Sequence, residues 1–119
     1  MDITITPAKL AGAITPPPSK SQAHRLIIAA ALAGGISVIT NVAMSQDIAA
    51  TLSCMRALGA SAELDGSTLT VTGLGEKRTP YSPCMCGAVH LDCSESGSTL
   101  RFLIPVALAV TGGAFFTGR

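Results

Sequence analysis

The chain is organised around residues 16–25, which read PPPSKSQAHR. Proline fixes its own φ and keeps the residue before it out of the helical region, so the run predicts a stiff, extended segment. Ser19 or Ser21 can then cap a helix, and almost wholly apolar residues follow from Leu26 to Gly35. These residues therefore predict an extended segment that runs into the start of a buried helix.

Lys20 and Arg25 place positive charge at this predicted helix start. Lys20 lies at or just before the first turn, and Arg25 lies about one turn further on. A helix N-terminus presents unpaired N–H groups and a partial positive charge, so cations there are unfavourable unless an anion neutralises them. The pattern indicates either a helix start that binds a phosphate or carboxylate or, more simply, a Ser-capped helix whose cations are solvated.

The same pattern occurs a second time. Arg25 is followed by LII, ALAGG and a predicted strand, and Arg101 is followed by FLI, ALA, a glycine pair and a predicted strand. Serines precede each arginine, at Ser19, Ser21, Ser94, Ser96 and Ser98. A supersecondary unit used twice could direct the donors of both helix starts to one place, and Gly97 would let a ligand approach the backbone. The alternative is chance recurrence in an alanine-rich chain.

The composition predicts one small domain with an aliphatic core. Of the 119 residues, 48% are hydrophobic, 13% are charged and 3% are aromatic, and the net charge is +1. So little charge indicates apolar faces that pack on something else. The absence of a basic stripe excludes a nucleic-acid-binding protein. No apolar run approaches the ~20 residues of a membrane span, and no signal peptide is visible, so we predict a cytoplasmic protein that does not contact membranes.

The four cysteines are Cys54, Cys84, Cys86 and Cys93. One residue separates Cys84 from Cys86, whereas a zinc knuckle or a redox pair has two. His90 is close enough in sequence to leave a metal site open as an alternative. The spacing favours reduced, structural thiols of a cytosolic protein.

Periodicity predicts a chain of the α/β (α+β) class. Predicted strands lie at residues 3–6, 9–15, 36–40, 62–64, 68–72, 89–92 and 114–117. Predicted helices run from Ser19 or Ser21 to Ala33, from Ser45 to Leu58, and from between Ser94 and Ser98 to the glycine pair at 112–113. Pro105 predicts either a kink in the third helix or a later start for it. Asp65-Gly66 predicts the turn of a hairpin, and residues 73–87 predict a loop.

Several motifs together resemble one known family. Pro18–Ser21, with Arg25 and the apolar helix after it, resembles the N-terminal signature of the 5-enolpyruvylshikimate-3-phosphate synthase family. Ser45–Ile48 and Leu58–Ala60 are also similar, and Glu95–Arg101 resembles the second signature, a Gly-Thr or Gly-Ser loop followed by arginine. The resemblance covers essentially the whole chain in the right order. The Ser-Lys-Ser motif separates this family from the related UDP-N-acetylglucosamine enolpyruvyl transferase.

The resemblance implies a transferase of the shikimate pathway. Such an enzyme moves the enolpyruvyl group of phosphoenolpyruvate to the 5-hydroxyl of shikimate 3-phosphate, in aromatic amino acid biosynthesis, with no metal or organic cofactor. Its fold is two similar domains, each built from three βαβαββ units. Members are several times longer, so the resemblance implies an N-terminal fragment that is inactive without the missing C-terminal part. Residues 1–15 would belong to the other domain, residues 16–18 would form a hinge, and residues 19–119 would form part of the N-terminal domain.

The resemblance also implies roles for individual residues. The substrates would be held by Lys20, Ser21, Arg25, Gly97 and Arg101. Lys20 would be the catalytic residue and would contact both substrates, while Ser21 and Arg25 would hold shikimate 3-phosphate. Gly97 would lie against phosphoenolpyruvate, and Arg101 would support that site.

Three further positions complete these expectations. Asp47 and Ser98 are additional candidates for the substrate cleft. Glu95 stands where many members of the family carry Asn, so a hydrogen bond from that position to the ligand is in question. The competing hypothesis is a stand-alone module that binds a phosphorylated ligand without catalysis.

Overall fold

The computed structural model describes residues 2–76 and 88–119. Within those residues the elements are, in order, α1 (Lys20–Leu32), β1 (Ile36–Ile39), α2 (Gln46–Ala57), β2 (Ser61–Asp65), β3 (Thr68–Thr72), β4 (Val89–Asp92), α3 (Gly97–Thr111) and β5 (Ala114–Thr117). These bounds confirm the mixed class. From residue 19 onward they lie close to the predicted ones.

The segment before α1 differs from the prediction. Residues 2–18 take no regular secondary structure, so the predicted strands at 3–6 and 9–15 are wrong. A strand needs a neighbour to complete its hydrogen-bond ladder, and no described strand pairs with this segment. Its apolar side chains, Ile3, Ile5, Leu10 and Ile14, are at least 77% exposed. Alternation of apolar and polar residues favours an extended backbone, but it does not indicate whether a neighbouring strand is present to pair with it.

Among the described residues, β3 lies between β1 and β2 in an antiparallel sheet. Asp65 at the end of β2 pairs with Thr68 at the start of β3. The turn is therefore formed by Gly66 and Ser67, one residue later than the predicted Asp65-Gly66. Gly66 has a φ of +58°, which glycine adopts without strain. The predicted hairpin is otherwise confirmed.

The last three elements form a βαβ unit. β4 and β5 pair in parallel, with Val89 opposite Ala114 and Asp92 opposite Thr117, and α3 is the crossover that such a pairing requires. Pro105 is exposed and stands inside α3. Because α3 begins at Gly97, the predicted alternative of a later helix start is wrong. Gly112, with a φ of +74°, ends the helix as predicted.

The core is aliphatic and centred on α2, which contacts α1, α3, β2 and β4. Its predicted apolar stripe is confirmed, since Ile48, Leu52 and Met55 are at most 2% exposed and Arg56 is exposed. Burying one such apolar side chain stabilises a fold by about 1.5–3 kcal/mol. The stripe belongs to one cluster with Ile27, Ala31, Leu69, Val71, Leu91 and Leu103.

The chain after β3 crosses the C-terminal end of α1. Leu74 N donates to Ala31 O at 2.7 Å, and Gly75 N donates to Ala33 O at 2.9 Å. These bonds satisfy carbonyl groups that the last turn of a helix leaves without partners. A Cβ at Gly73 would overlap the Ala33 carbonyl oxygen, so only glycine allows this approach. The contact fixes α1 to the end of β3.

Cys54 and Cys93 are buried free thiols, as expected of structural cysteines. Cys84 and Cys86 lie outside the described residues. The alternative of a metal site that includes them near His90 therefore also lies outside the described residues. Within residues 2–76 and 88–119, no group of three or more His, Cys, Asp and Glu side chains could hold a metal ion. No helix of the described chain has the length and apolarity to cross a membrane.

Candidate functional site

Three helices begin with the same kind of cap. Ser19 Oγ accepts from the N–H of Gln22 at 3.3 Å, and Ser45 Oγ accepts from the N–H of Ile48 at 3.3 Å. Ser96 Oγ accepts from the N–H of Thr99 at 3.2 Å. Each cap satisfies one of the orphan donors of a first helical turn and leaves others to an incoming anion. The first and third of these helix starts belong to the two copies of the repeated sequence pattern, and the second was predicted separately at Ser45.

The starts of α1 and α2 are joined by the pair Lys20–Asp47, here called the site ion pair. Lys20 Nζ lies 2.7 Å from Asp47 Oδ2, and the two side chains are 56% and 32% exposed. The hydrogen bond from Lys20, with a smaller contribution from the side chain of Ser96, holds the pKa of the Asp47 carboxyl below its usual value. The carboxyl is therefore ionised at neutral pH. A lysine has three N–H donors, so the ammonium has capacity for a second anion.

Behind the site ion pair lies a buried run of side-chain hydroxyls, here called the hydroxyl chain (Thr51, Thr99 and Ser96). Thr51 Oγ1 and Thr99 Oγ1 are 2.8 Å apart, and Thr99 Oγ1 donates to Ser96 Oγ at 2.7 Å. His24 Nδ1 lies 2.8 Å from Thr51 Oγ1. All four residues are at most 4% exposed. The chain therefore links α1, α2 and the cap of α3 in one polar network inside the core.

His24 is a buried, neutral histidine. Loss of hydration on burial lowers its pKa below the usual value; Asp47 opposes this, and the positive charges of Lys20 and Arg25 add to it. Its Nε2 has no hydrogen-bond partner in the described part of the chain. The ring lies beside Phe102 of α3, with 6.3 Å between ring centroids. His24 thus contacts α2 through Thr51 and α3 through Phe102, and its hydrogen-bond partner Thr51 is not ionisable.

Arg25 connects α1 to α3 on the surface of the site. Its guanidinium lies 5.3 Å from the centroid of the Phe102 ring, within the range of a cation–π contact. Its Nη1 also donates to the main-chain oxygen of Ser21 at 2.9 Å. These two contacts hold Arg25 toward the helix that carries Arg101.

The start of α3 is open to solvent. Gly97, Ser98 and Arg101 are exposed, and a Cβ built on Gly97 would meet nothing within 4 Å. Space for a ligand therefore exists beside this backbone. In the described chain no hydrogen bond or ion pair joins Ser98 or Arg101 to the site ion pair.

Glu95 faces a different opening. It lines a cleft of about 470 Å³ on the other side of the α2 start, together with Gln46, Ala49, Ala50, Ser53, Asp92, Ser94 and Arg119. The structure thus brings Lys20 and Asp47 together, and Thr99 links Asp47 to α3 by donating from Oγ1 to the Asp47 main-chain oxygen at 3.3 Å. It leaves Glu95 outside this arrangement.

The sequence interpretation missed the hydroxyl chain and the part played by His24. A signal was present, because Thr51 stands inside the apolar stripe of α2, three residues after Ile48. A polar residue at a core position needs a hydrogen-bond partner. Its partners on α1 and α3 are 27 and 48 residues away, so local patterns did not indicate them.

Known proteins resemble this chain over nearly its whole length. The family model of EPSP synthase (3-phosphoshikimate 1-carboxyvinyltransferase) matches residues 5–119. The 3-phosphoshikimate 1-carboxyvinyltransferase of Clostridium perfringens strain 13 is 44% identical over 118 residues, which is 98% of this chain and 26% of that protein. The protein of the same name from Clostridium novyi is 46% identical over 127 residues, covering 99% of this chain and 28% of that protein.

A solved structure of EPSP synthase from Acinetobacter baumannii has a similar backbone. The TM-score is 0.71 at 30% identity, and the match covers 91% of this chain and 23% of that one. The chain thus spans about a quarter of the length of the relatives that it matches. Since the family model covers almost all of its residues, this chain belongs to the EPSP synthase family.

Proposed function

We propose that the chain forms part of the substrate site of a 3-phosphoshikimate 1-carboxyvinyltransferase. The reaction would transfer the enolpyruvyl group of phosphoenolpyruvate to the 5-hydroxyl of shikimate 3-phosphate and release phosphate. One observation carries the proposal. Lys20 stands where the capped starts of α1 and α2 meet, in contact with Asp47. Helix N–H groups and a lysine ammonium are the donors that phosphates and carboxylates require.

The residues of α1 would bind the phosphorylated acceptor. Lys20 would contact both substrates and act as the catalytic cation, by stabilising negative charge on the groups that react. Ser21 and Arg25 would hold shikimate 3-phosphate. The contact of Arg25 with Phe102 supports this role, because it orients the guanidinium before the ligand arrives.

The start of α3 would receive phosphoenolpyruvate. Gly97 has no side chain to block close approach, and the open space beside it supports this assignment. Arg101 would supply positive charge, and Ser98 would offer an additional donor. Asp47 would hold the Lys20 ammonium until the substrate anions compete for it.

Turnover would need the remaining length of the polypeptide. Apolar side chains on β1 and α3 are exposed, with Ile36 at 71%, Val38 at 62% and Leu108 at 64%. Surfaces of this kind pack on other elements of a longer chain. We propose that residues 1–15 belong to the other domain, that residues 16–18 are the hinge, and that residues 19–119 are part of the N-terminal domain of a cytoplasmic enzyme. The 119-residue chain alone would bind substrate without turning it over.

A titration tests this proposal. Shikimate 3-phosphate is added to the isotopically labelled chain while amide shifts are followed by NMR. We expect shifts at residues 20–25, with smaller ones at residues 97–101, and we expect Lys20→Ala to abolish them. Lys9→Ala is the matched control, since Lys9 is exposed in the segment before α1. Unchanged spectra at millimolar ligand would contradict the proposal.

Two further ligands separate the competing function. Shikimate without its phosphate should bind more weakly than shikimate 3-phosphate. An unrelated sugar phosphate that gives the same shifts at the same concentration would instead favour a general module for phosphorylated ligands. Adding phosphoenolpyruvate and following free phosphate by phosphorus NMR tests for turnover, and we expect none from this chain.

A further inference from the structure

We propose that Thr51 is a positioning residue for phosphoenolpyruvate. Its buried hydroxyl joins α1 to α3, and it thereby sets the spacing between Lys20 and Gly97, which this ligand would touch on different helices. The part of the proposal that concerns helix positions stands alone, and its relevance to phosphoenolpyruvate rests on the proposed function.

Thr51 lies in α2, which packs against both α1 and α3. Thr51 Oγ1 is 2.8 Å from Nδ1 of His24 in α1 and 2.8 Å from Oγ1 of Thr99 in α3. Both distances are typical of good hydrogen bonds. Within residues 2–76 and 88–119, no other side chain forms hydrogen bonds to side chains of both helices. Thr51 is therefore the hydrogen-bonded link between α1 and α3 in this part of the chain.

The Thr51 hydroxyl has no capacity left for another partner. A hydroxyl offers one proton and two lone pairs, and a third contact joins Thr51 Oγ1 to the main-chain oxygen of Asp47 at 3.2 Å. Both contacts of 2.8 Å can therefore be hydrogen bonds whichever atom donates. Thr51, His24 and Thr99 are at most 2% exposed, so none of them can exchange these bonds for bonds to bulk water. Loss of the Thr51 hydroxyl would leave buried polar atoms on both neighbouring helices without a partner.

Each end of this link leads to one half of the candidate site. On the α3 side, Thr99 Oγ1 is 2.7 Å from Oγ of Ser96, the residue that caps the helix directly before Gly97. On the α1 side, His24 lies four residues after Lys20, which is one turn of the same helix. The spacing between Lys20 and Gly97 therefore depends on the two hydrogen bonds of Thr51.

Phe102 forms a second connection between α1 and α3, but it restricts their positions less. Its ring lies 6.3 Å from the ring of His24 and 5.3 Å from the guanidinium of Arg25. Aromatic pairs are favourable over about 2.5 Å of centroid separation, whereas hydroxyl hydrogen bonds allow only about 0.5 Å between their heavy atoms. The hydrogen bonds of Thr51 therefore determine the helix positions more closely than the contacts of Phe102.

The two substrates should depend differently on this link. Shikimate 3-phosphate would be held by Lys20, Ser21 and Arg25, which all lie in α1, so α1 alone fixes their spacing. Phosphoenolpyruvate carries a phosphate and a carboxylate, and it would meet Lys20 on α1 and Gly97 on α3. A small misplacement of one binding group relative to another is costly. Only phosphoenolpyruvate should therefore respond when α3 moves relative to α1.

The first experiment needs no ligand. Thr51→Val keeps nearly the same shape without the hydroxyl, and Thr51→Ser restores the hydroxyl. Residual dipolar couplings of the labelled amides give the orientation of α3 relative to α1, and we expect the valine variant to change it and the serine variant to keep it. Thr111→Val is the matched control, because the Thr111 hydroxyl bonds only to the main-chain oxygens of Ala107 and Gly113. An unchanged orientation in Thr51→Val would overturn the proposal.

The second experiment titrates each substrate separately into the same variants and follows the amide shifts. We expect Thr51→Val to raise the Kd for phosphoenolpyruvate at least about fivefold and to leave the Kd for shikimate 3-phosphate within about twofold. Thr51→Ser should restore the affinity for phosphoenolpyruvate. Equal weakening of both ligands would overturn the proposal, because Thr51 would then support the fold in general. Unweakened binding of phosphoenolpyruvate would overturn it as well.

A variant on α3 tests the same link if Thr51→Val does not fold. Thr99→Val removes the partner of Thr51, and Thr99→Ser restores it. We expect the valine variant to weaken phosphoenolpyruvate selectively and the serine variant to reverse this. Equal affinities of the folded Thr99→Val chain and the unaltered chain for phosphoenolpyruvate would contradict the proposal.

The two experiments separate this proposal from the proposed function. An unaltered chain that binds neither substrate would refute the function, and the dipolar couplings would still show whether Thr51 positions α3. An unaltered chain that binds both substrates, with no difference between Thr51→Val and Thr51→Ser, would refute the positioning role and leave the function intact.

Discussion

Lys20 Nζ and Asp47 Oδ2 lie 2.7 Å apart, although both residues stand in the first turns of their helices. An acid in the first turn of α2 is favourable, and a base in the first turn of α1 is unfavourable. The ion pair offsets that local cost by placing the Asp47 charge beside Lys20. The pair is largely solvated, with side chains 56% and 32% exposed, so its arrangement serves binding more than stability.

Lys20→Met should therefore leave the fold almost unchanged. We expect the free energy of unfolding in urea to change by less than about 1 kcal/mol, because exposed ion pairs contribute little. The pKa of Asp47 should rise, since the hydrogen bond from Lys20 is the largest cause that lowers it. A loss of stability above about 2 kcal/mol would show instead that Lys20 supports the core.

Gly97 and Gly73 should respond in opposite ways to alanine. Gly97→Ala adds a methyl group in open space, so the free energy of unfolding should stay within about 0.5 kcal/mol of the original. Gly73→Ala would drive a Cβ into the carbonyl oxygens of Ala30 and Ala33, and it should cost about 3 kcal/mol or prevent folding. Urea unfolding of both variants makes the comparison.

Binding gives the second half of this prediction. Gly97→Ala should weaken the amide shifts caused by phosphoenolpyruvate, because the new methyl group occupies the space beside the α3 start. Unweakened shifts in the folded variant would remove Gly97 from the proposed site.

Stability should fall as the pH is lowered from 6.5 toward 5, because of His24. Its pKa is lowered in the folded chain, so the unfolded chain takes up the proton first. Unfolding is then favoured progressively below the ordinary histidine pKa, by at most about 1.4 kcal/mol per pH unit. The lowered pKa of Asp47 acts in the same direction, but only in stronger acid.

Urea unfolding at several pH values measures this slope. His24→Asn should flatten it between pH 6.5 and 5. His90→Asn is the control, since it removes an exposed histidine. A slope that survives in His24→Asn and disappears in His90→Asn would contradict the prediction, because His90 would then cause the pH dependence.

Cys54 should resist alkylation while the chain is folded. Burial raises the pKa of its thiol to about 12, and the thiolate is the reactive form. Iodoacetamide at pH 8, with Cys84 and Cys86 replaced by serine, should modify Cys54 only as fast as the chain unfolds. Mass spectrometry of peptides gives the rate. Rapid modification without denaturant would show that the core opens locally around α2.

The sequence was informative where a rule is local. Ser45 caps α2 as predicted, Ser19 and Ser96 cap the other two helices within the predicted alternatives, and Gly112 ends α3 with the predicted left-handed backbone. Local rules failed where an element forms only if another part of the chain pairs with it. The alternation at residues 3–6 predicts a strand, but no described strand pairs with it.

The candidate site divides in the same way. Lys20 and the additional candidate Asp47 were site residues implied by the family resemblance, and the structure shows a contact between them that was not predicted. Their link to α3 depends on Thr51 and Thr99, which are 48 residues apart, so the sequence around one does not indicate the other. Long-range hydrogen bonds of this kind follow from the packing of three helices, which periodicity alone does not determine.

The long sequence separations within the site mean that ligand binding depends on complete folding. Lys20 and Asp47 are 27 residues apart, and Thr99 lies 52 residues from the Asp47 carbonyl that it approaches. No short piece of chain can assemble these groups, so a ligand of the site recognises only molecules that have completed the fold. By mass action, such a ligand at a hundred times its Kd would stabilise the chain by about 2.7 kcal/mol. The melting temperature would then report how fully the site is occupied.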